Sequence, residues 1–240
     1  MIPNSDSAFK RCLLAAIVLL SGSASFAQDC KQYFYLVENA QVTMTLYDRD
    51  NRENGIQTWK VNSVKNDQRG IIANVSSAMT NAKGNEVSRS TGQYRCYGGR
   101  LMADMRMLIP PDSRNKNMTD DANTSPAYLE YPTVLTENME LPNALYDINF
   151  NINKLASSVH FEINDRKVVG REKLSTAAGT WNAFKITYES YLRVKMTGIS
   201  IPLTFHVTEW FVPGFGAVKT ETYSNKYKLL GSSVLTAFTK

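Results

Sequence analysis

The chain has 240 residues, a formal net charge of +5 and 43% hydrophobic residues. That apolar content is enough for a sizeable core, which argues against a largely disordered chain. Lysine and arginine alternate with aspartate and glutamate without forming a basic stripe, so nucleic-acid binding is not expected.

Residues 1–27 have the pattern of a cleaved secretory signal peptide. A basic pair precedes the apolar run Cys12–Leu20, and small residues stand at the −3 and −1 positions of a cut before Gln28. A membrane anchor is the alternative, but the run is only about half of the roughly 18 to 20 residues that cross a bilayer. We therefore predict a periplasmic or secreted mature protein, residues 28–240, without an integral membrane span.

Two cysteines remain after cleavage, and an oxidising compartment favours their pairing. Neither Cys30 nor Cys96 belongs to a CxxC motif, and no nearby histidine supports a catalytic or metal-binding thiol. We predict a disulfide between Cys30 and Cys96, which loop-closure entropy makes worth about 4 kcal/mol at most.

The first half of the mature chain shows the two-residue alternation of β-strands. Apolar side chains at alternate positions from Val42 to Leu46 share one face, and those from Ile71 to Val75 share another. Further strands are predicted at Ile56–Val64, Glu86–Cys96 and Leu101–Leu108. Polar turns rich in glycine and asparagine separate them, which is typical of an antiparallel meander.

An irregular stretch, Pro110–Pro142, lies between the two halves. Its first part has almost no apolar residues, and long loops of this kind are usually either mobile or functional. We expect Asp112–Asn123 to be the most mobile segment, with a lid over a cavity as the alternative. A short helix around Asp120–Leu129 is the one helical segment that the sequence allows here, and Pro126 limits its length.

The second half repeats the alternation. No segment has a long 3.6-residue period with caps at both ends, so we expect one all-β domain over residues 28–240. The predicted strands are Leu145–Asn151, Val159–Val169, Trp181–Met196, Ile201–Phe211, Ala217–Tyr223 and Tyr227–Phe238.

No motif predicts a catalytic, cofactor-binding or metal-binding residue. His160 and His206 are far apart in sequence, and no other ligands cluster with them at metal-binding spacing. The glycines of Gly214–Lys219 invite a phosphate-loop interpretation, but a strand follows them where a phosphate loop needs a helix. A hairpin turn that requires positive φ explains these glycines better.

Aromatic and aliphatic side chains on the second-half strands are the candidates for a ligand groove. Packing within a β core explains most of them. A concave sheet face lined by such residues can also hold a lipid-like ligand. The groove candidates are Trp181, Phe184, Ile186, Tyr188, Phe205 and Trp210.

Several segments together resemble one protein family. Glu209–Glu221 is similar to its W-[YF]-x-x-G-x-G-x-V-K-x-E hairpin, and Leu174–Ile186 to its T-x-A-G-T-[FW] turn and strand. The middle of the chain adds matches at Tyr131-Pro132, Leu141-Pro142, Tyr94-Arg95-Cys96 and Asp104. The family is the TapB-like group of secreted proteins from Gram-negative bacteria. The resemblance implies a curved antiparallel sheet or open half-barrel, akin to periplasmic lipoprotein carriers, and brings no catalytic residues.

The sequence therefore supports three hypotheses. The first is a non-enzymatic envelope protein that binds an amphiphilic or lipid-like ligand on its concave face. The second is a structural or interaction module with a filled core, whose sheet edges pair with another envelope protein. The third is a hydrolase whose site is assembled from scattered residues.

Overall fold

A computed structural model of the protein describes residues 33–67, 70–108, 119–120, 127–152, 155–196 and 198–240. The predicted signal peptide and Cys30 lie outside these residues. Within them the regular structure is almost entirely strand, as the alternation predicts, with two short 3-10 helices at Phe34–Leu36 and Met105–Leu108.

The strands follow one another along the chain with short turns. Their bounds are β1 Gln41–Asp48, β2 Glu53–Asp67, β3 Gly70–Asn81, β4 Glu86–Tyr97, β5 Arg100–Asp104, β6 Thr119–Asp120, β7 Tyr128–Pro132, β8 Ala144–Ile152, β9 Leu155–Thr176, β10 Gly179–Met196, β11 Ile199–Val212, β12 Gly216–Ser224 and β13 Leu229–Thr239.

All of these strands belong to one antiparallel sheet in the order β6-β8-β9-β10-β11-β12-β13-β1-β2-β3-β4-β5-β7. The two halves of the predicted meander join where β1 pairs with β13, from Gln41 opposite Thr239 to Asp48 opposite Gly231. The sheet curls until it is nearly closed into a barrel. Irregularities in the register, such as the one between Thr43 and Met44, add local bends that assist the curvature.

The interior is built from the alternating apolar residues of the strands. Val42, Met44, Ala73 and Val75 are all buried, in agreement with the faces that the sequence predicts. Leu46 is only partly buried, because it lies near one end of the barrel, next to the turn between β1 and β2.

The other end of the barrel is closed by the start of the described chain. Tyr33 and the helix Phe34–Leu36 are buried, and the Phe34 N–H donates to the Gly214 carbonyl oxygen at 2.8 Å. The Phe34 ring stacks on Phe215 at 5.1 Å between centroids. We call this the closed end, and we call the end with the β1–β2 and β12–β13 turns the open end.

The prediction that Pro110–Pro142 is one irregular loop is wrong for its second part. Tyr128–Pro132 forms β7, which pairs with β5 from Asp104 opposite Tyr128 to Arg100 opposite Pro132. Leu129 and Tyr131 alternate inward and are buried, which gives this short segment a strand pattern. The segment Asp112–Asn123 lies outside the described residues except for Thr119–Asp120, which pair with β8.

The predicted disulfide stays a prediction, because Cys30 lies outside the described residues. Cys96 is fully buried on β4. We expect the secreted protein, unfolded without reductant, to show no free thiol at either position. Thiol titration under those conditions measures it, and two reactive thiols per chain would contradict the pairing.

Gly216, at the start of β12, should not tolerate a side chain. Its φ is +128°, and a Cβ there would lie 2.6 Å from Cε2 of Tyr35. Gly179 has a similar φ of +137° but no atom within 4 Å of such a Cβ. We expect Gly216→Ala to lower the free energy of unfolding by about 1 to 3 kcal/mol more than Gly179→Ala, because only the first adds a clash to the backbone strain. Chemical denaturation of both variants measures the difference, and equal losses would contradict the packing of Tyr35 on Gly216.

Candidate functional site

A cavity of about 560 Å³ lies inside the barrel. Its volume falls in the range of small-molecule binding sites. Lining residues Asp48, Asn54 and Leu230 belong to the turns of the open end or lie beside them, so the cavity is reached from there. The closed end contributes Tyr35 and Gly216 to its base.

The cavity wall is mixed in character. Its deeper apolar surface comes from Met44, Leu101, Leu129 and Phe211. Ser77, Ser88, Ser90 and Gln57 give a polar strip on β2 to β4, in which Gln57 Nε2 donates to the Ser77 hydroxyl at 3.2 Å.

Glu209 is the most unusual group in this wall. It lies on β11 opposite Ile186 of β10 and Thr220 of β12, and only 5% of its surface is exposed. Oε2 accepts a hydrogen bond from the Tyr131 hydroxyl at 3.2 Å, whereas Oε1 is buried without a hydrogen-bond partner. Burial raises the pKa of Glu209, and the positive charge of Arg166 and the Tyr131 hydrogen bond only partly offset this effect.

Four tyrosines surround this carboxyl group: Tyr35, Tyr94, Tyr131 and Tyr188. Burial, and then the negative charge of Glu209 among other groups, raises the pKa of each phenol well above its ordinary value. All four therefore stay neutral at physiological pH. Tyr35 stacks on Tyr94 at 4.6 Å, and Tyr131 on Phe211 at 4.4 Å, so the rings have fixed positions.

Arg166 of β9 is the counter-charge behind this cluster. It is 1% exposed, and its guanidinium carbon lies 4.8 Å from the centroid of the Tyr131 ring. Nη1 donates at 2.8 Å to the carbonyl oxygens of Glu130 and Pro142, while Nε and Nη2 find no acceptor. Tyr131 therefore lies between the two charges. Its ring contacts the Arg166 guanidinium, and its hydroxyl donates a hydrogen bond to the Glu209 carboxylate.

The predicted groove residues are dispersed in the fold. Tyr188 lines the cavity, and Ile186 is fully buried on the same face of β10. Phe184 packs under the Arg171 guanidinium at 5.1 Å. Trp181 belongs to the closed end, 4.7 Å from Phe215.

Trp210 and Phe205 do not reach the cavity wall that the structure describes. Trp210 pairs with Lys185 and neighbours Glu209, so it points to the opposite face of β11. Its ring lies between the ammonium groups of Lys185 at 5.2 Å and Lys219 at 4.5 Å. Trp210 is therefore outside this cavity wall, and its contact with a ligand stays a prediction. Phe205 is half-buried and pairs with Ser224 at the end of β12.

The two histidines lie away from the cavity. His160 contacts Asp147 at 2.7 Å and Glu162 at 2.6 Å, and these hydrogen bonds, that of Asp147 first, raise its pKa. His206 stacks on Tyr227 at 4.0 Å. Among the described residues there is no group of three or more histidine, cysteine, aspartate or glutamate side chains that could hold a metal ion. The described part of the chain contains no helix long and apolar enough to cross a membrane.

Sequence reasoning missed the central residues of this site. Glu209, Tyr131 and Tyr94 all fall in the motifs that carry the family resemblance, but no role was assigned to them. The available signal was a lone carboxylate in the otherwise apolar end of β11, from Glu209 to Val212. Arg166 gave no comparable signal, because the segment around it is rich in charges.

Protonation of Glu209 should make the stability of the protein depend on pH. Burial raises the pKa of Glu209 above its ordinary value of 4.5, so the folded state keeps a proton that the unfolded chain has already released. The free energy of unfolding should therefore fall as pH rises above the ordinary pKa. Glu209→Gln should flatten that decline, as measured by chemical denaturation over a series of pH values.

The matched control for this experiment is Glu189→Gln on β10, whose side chain is 41% exposed. It removes a carboxylate from a neighbouring strand without touching the cavity. If the free energy of unfolding of Glu209→Gln falls with pH as steeply as that of Glu189→Gln, Glu209 is not the source of the decline in the wild-type protein.

Comparison with known proteins supports the fold. No curated protein matches the sequence. A predicted exported protein with a YmcC-like fold from Bacteroides fragilis has a TM-score of 0.68 at 20% identity, covering 87% of this chain and 99% of that one. A predicted lipoprotein from Parabacteroides distasonis has a TM-score of 0.69 at 22% identity, covering 88% of this chain and 100% of that one. At such identities the likeness establishes the fold alone.

The family model that matches the sequence is described as DUF3108-like, and it spans residues 38–235. That range runs from the residues just before β1 into β13, so it includes the strands that enclose the cavity. The chain belongs to the DUF3108-like family.

Proposed function

We propose that this protein is a non-enzymatic binding protein of the bacterial envelope that holds an amphiphilic, lipid-like molecule inside its barrel. The observation that carries the proposal is the cavity of about 560 Å³, which combines a deep apolar wall with one buried, half-satisfied carboxyl group. An interior filled by its own side chains would have favoured the structural module instead. A cavity of this size leaves its walls without packing partners, a cost that a ligand would remove.

The same proposal places the protein in the periplasm or among secreted proteins. Its support is the predicted signal peptide, together with the exported protein and the lipoprotein that share the fold. The TapB-like relationship belongs to this proposal too, since the family model that matches the chain is the DUF3108-like one.

A binding role fits the cavity better than hydrolysis. Among the described lining residues there is no histidine or cysteine, so the lining serines have no imidazole base beside them. The one hydroxyl that the described residues place on Glu209 is that of Tyr131, and burial raises the pKa of this phenol well above its ordinary value, so Tyr131 is a poor nucleophile.

One surface feature favours the second hypothesis, an interaction module. The tip of the β10–β11 hairpin exposes three apolar side chains, with Met196 at 42%, Ile199 at 65% and Ile201 at 53%. Such a projecting apolar tip is suited to contact with another envelope component. This role is compatible with ligand binding, since the hairpin tip lies apart from the cavity wall.

Uptake of an uncharged acyl probe tests the proposed function. We expect the wild-type protein to bind a pyrene-labelled fatty acyl methyl ester, with a change in fluorescence as the probe leaves water. Ser88→Trp should abolish uptake, because Ser88 is buried in the cavity wall near the open end and the indole would fill that space.

Thr91→Trp is the control, since Thr91 lies on the same strand with its side chain exposed. It should bind the probe as the wild-type protein does. Circular dichroism checks that both variants keep the strand content. A folded wild-type protein that takes up no probe would leave the interaction module as the better hypothesis.

A further inference from the structure

The buried carboxyl group in the cavity indicates which end of a ligand it would receive. Oε1 of Glu209 is buried, belongs to a side chain that lines the cavity, and has no hydrogen-bond partner. A buried acceptor without a donor costs free energy, so a ligand that supplies the donor gains that free energy on binding. A ligand that brings a second acceptor to this position would not gain this free energy.

The surroundings of Glu209 also argue against an anionic head group. Arg166 is the nearest buried cation, but its guanidinium lies against the Tyr131 ring and is not part of the described cavity wall. Its Nη1 is engaged by two backbone carbonyl oxygens, and its unpaired Nε and Nη2 belong to a buried side chain that does not line the cavity. A ligand carboxylate entering the cavity would therefore meet the Glu209 carboxyl group without reaching the Arg166 charge.

The position of Glu209 sets the direction of entry. It lies deep in the cavity, two residues from Phe211, whereas Leu46, Met79 and Leu230 line the cavity toward the open end. The apolar part of a ligand whose head reaches Glu209 would therefore extend along these side chains toward the solvent. Such a ligand enters head first.

We infer that the cavity selects amphiphiles whose head group donates a hydrogen bond, a hydroxyl or an ammonium group, to Oε1 of Glu209. This inference rests on the proposed binding function and specifies its ligand class. Tyr131 acts as a positioning residue, because its hydroxyl occupies Oε2 and leaves Oε1 as the acceptor without a partner. The two donor heads share this chemistry, and they differ in that only the ammonium group adds a charge.

The test compares four ligands with the same saturated chain: a primary alcohol, a primary amine, a methyl ether and a carboxylic acid. Their affinities are measured at neutral pH by displacement of the pyrene-labelled ester. We expect the wild-type protein to bind the alcohol and the amine about tenfold more tightly than the ether, as befits one hydrogen bond to a buried acceptor. The acid should bind most weakly.

Glu209→Gln should reduce the advantage of the amine over the ether to about twofold or less, and it should improve binding of the acid, because the negative charge is gone. Glu189→Gln is the matched control and should keep the wild-type order. The ratio of the amine affinity to the alcohol affinity in the wild-type protein shows whether the positive charge adds to the hydrogen bond. The wild-type comparison alone is decisive if Glu209→Gln does not fold.

Two outcomes separate this inference from the function on which it rests. If all four ligands bind the wild-type protein with similar affinity, or if Glu209→Gln changes neither the amine-to-ether affinity ratio nor the affinity for the acid, head-group selection by Glu209 is overturned while lipid binding stands. If none of the ligands displaces the probe, and the probe itself does not bind, the proposed function fails.

Discussion

The pairing of β1 with β13 is the interaction on which the whole architecture depends. Without it, β8 to β13 and β1 to β5 would form two separate meanders, each with two unpaired edges. The ladder between β1 and β13 converts them into one sheet of 13 strands. A sheet of that length cannot stay open and flat, because strand twist accumulates across it. Its edges therefore approach each other and enclose an interior.

Side chains join these edges where the main-chain ladder does not. Arg166 of β9 reaches the carbonyl oxygens of Glu130 in β7 and of Pro142 just before β8, so one guanidinium links β9 to the strand at the opposite edge. The isolated bridge between Glu140 and Lys167 adds a further contact nearby. A buried arginine is tolerable here because its positive charge lies on the Tyr131 ring and is balanced by the Glu209 carboxylate beyond that ring.

The interior that results is incompletely filled and is polar in one place. Glu209 loses hydration on folding and recovers one long hydrogen bond, from Tyr131 at 3.2 Å, so it opposes stability at neutral pH. Four neutral tyrosines surround it with rigid, partly polar surface. Buried polar groups that oppose stability in this way commonly mark sites selected for function. For this reason the proposed ligand site is centred on Glu209 and not on the aromatic strands that the sequence emphasises.

The sequence by itself determined the class of the fold and most of its strands. Alternation is a local property, so Val42 and Met44 show their buried face without any knowledge of the partner strand. The turn at Gly214 and Gly216 is equally local, and the structure confirms positive φ at both glycines. The short strand β7 was missed because its five residues follow a long polar stretch.

Only the tertiary structure decided which groups meet. Tyr131 and Glu209 are 78 residues apart in sequence, and their hydrogen bond exists only because the curled sheet brings β7 opposite β11. The period of two requires Glu209 and Trp210 to face opposite ways, but it does not say which of them points inward. Either orientation is consistent with the pattern, because a tryptophan can also be buried between two lysine side chains on the face away from the cavity. Closure of the barrel, a property of all the strands together, turned the carboxylate toward the cavity and the buried indole toward the opposite face of β11.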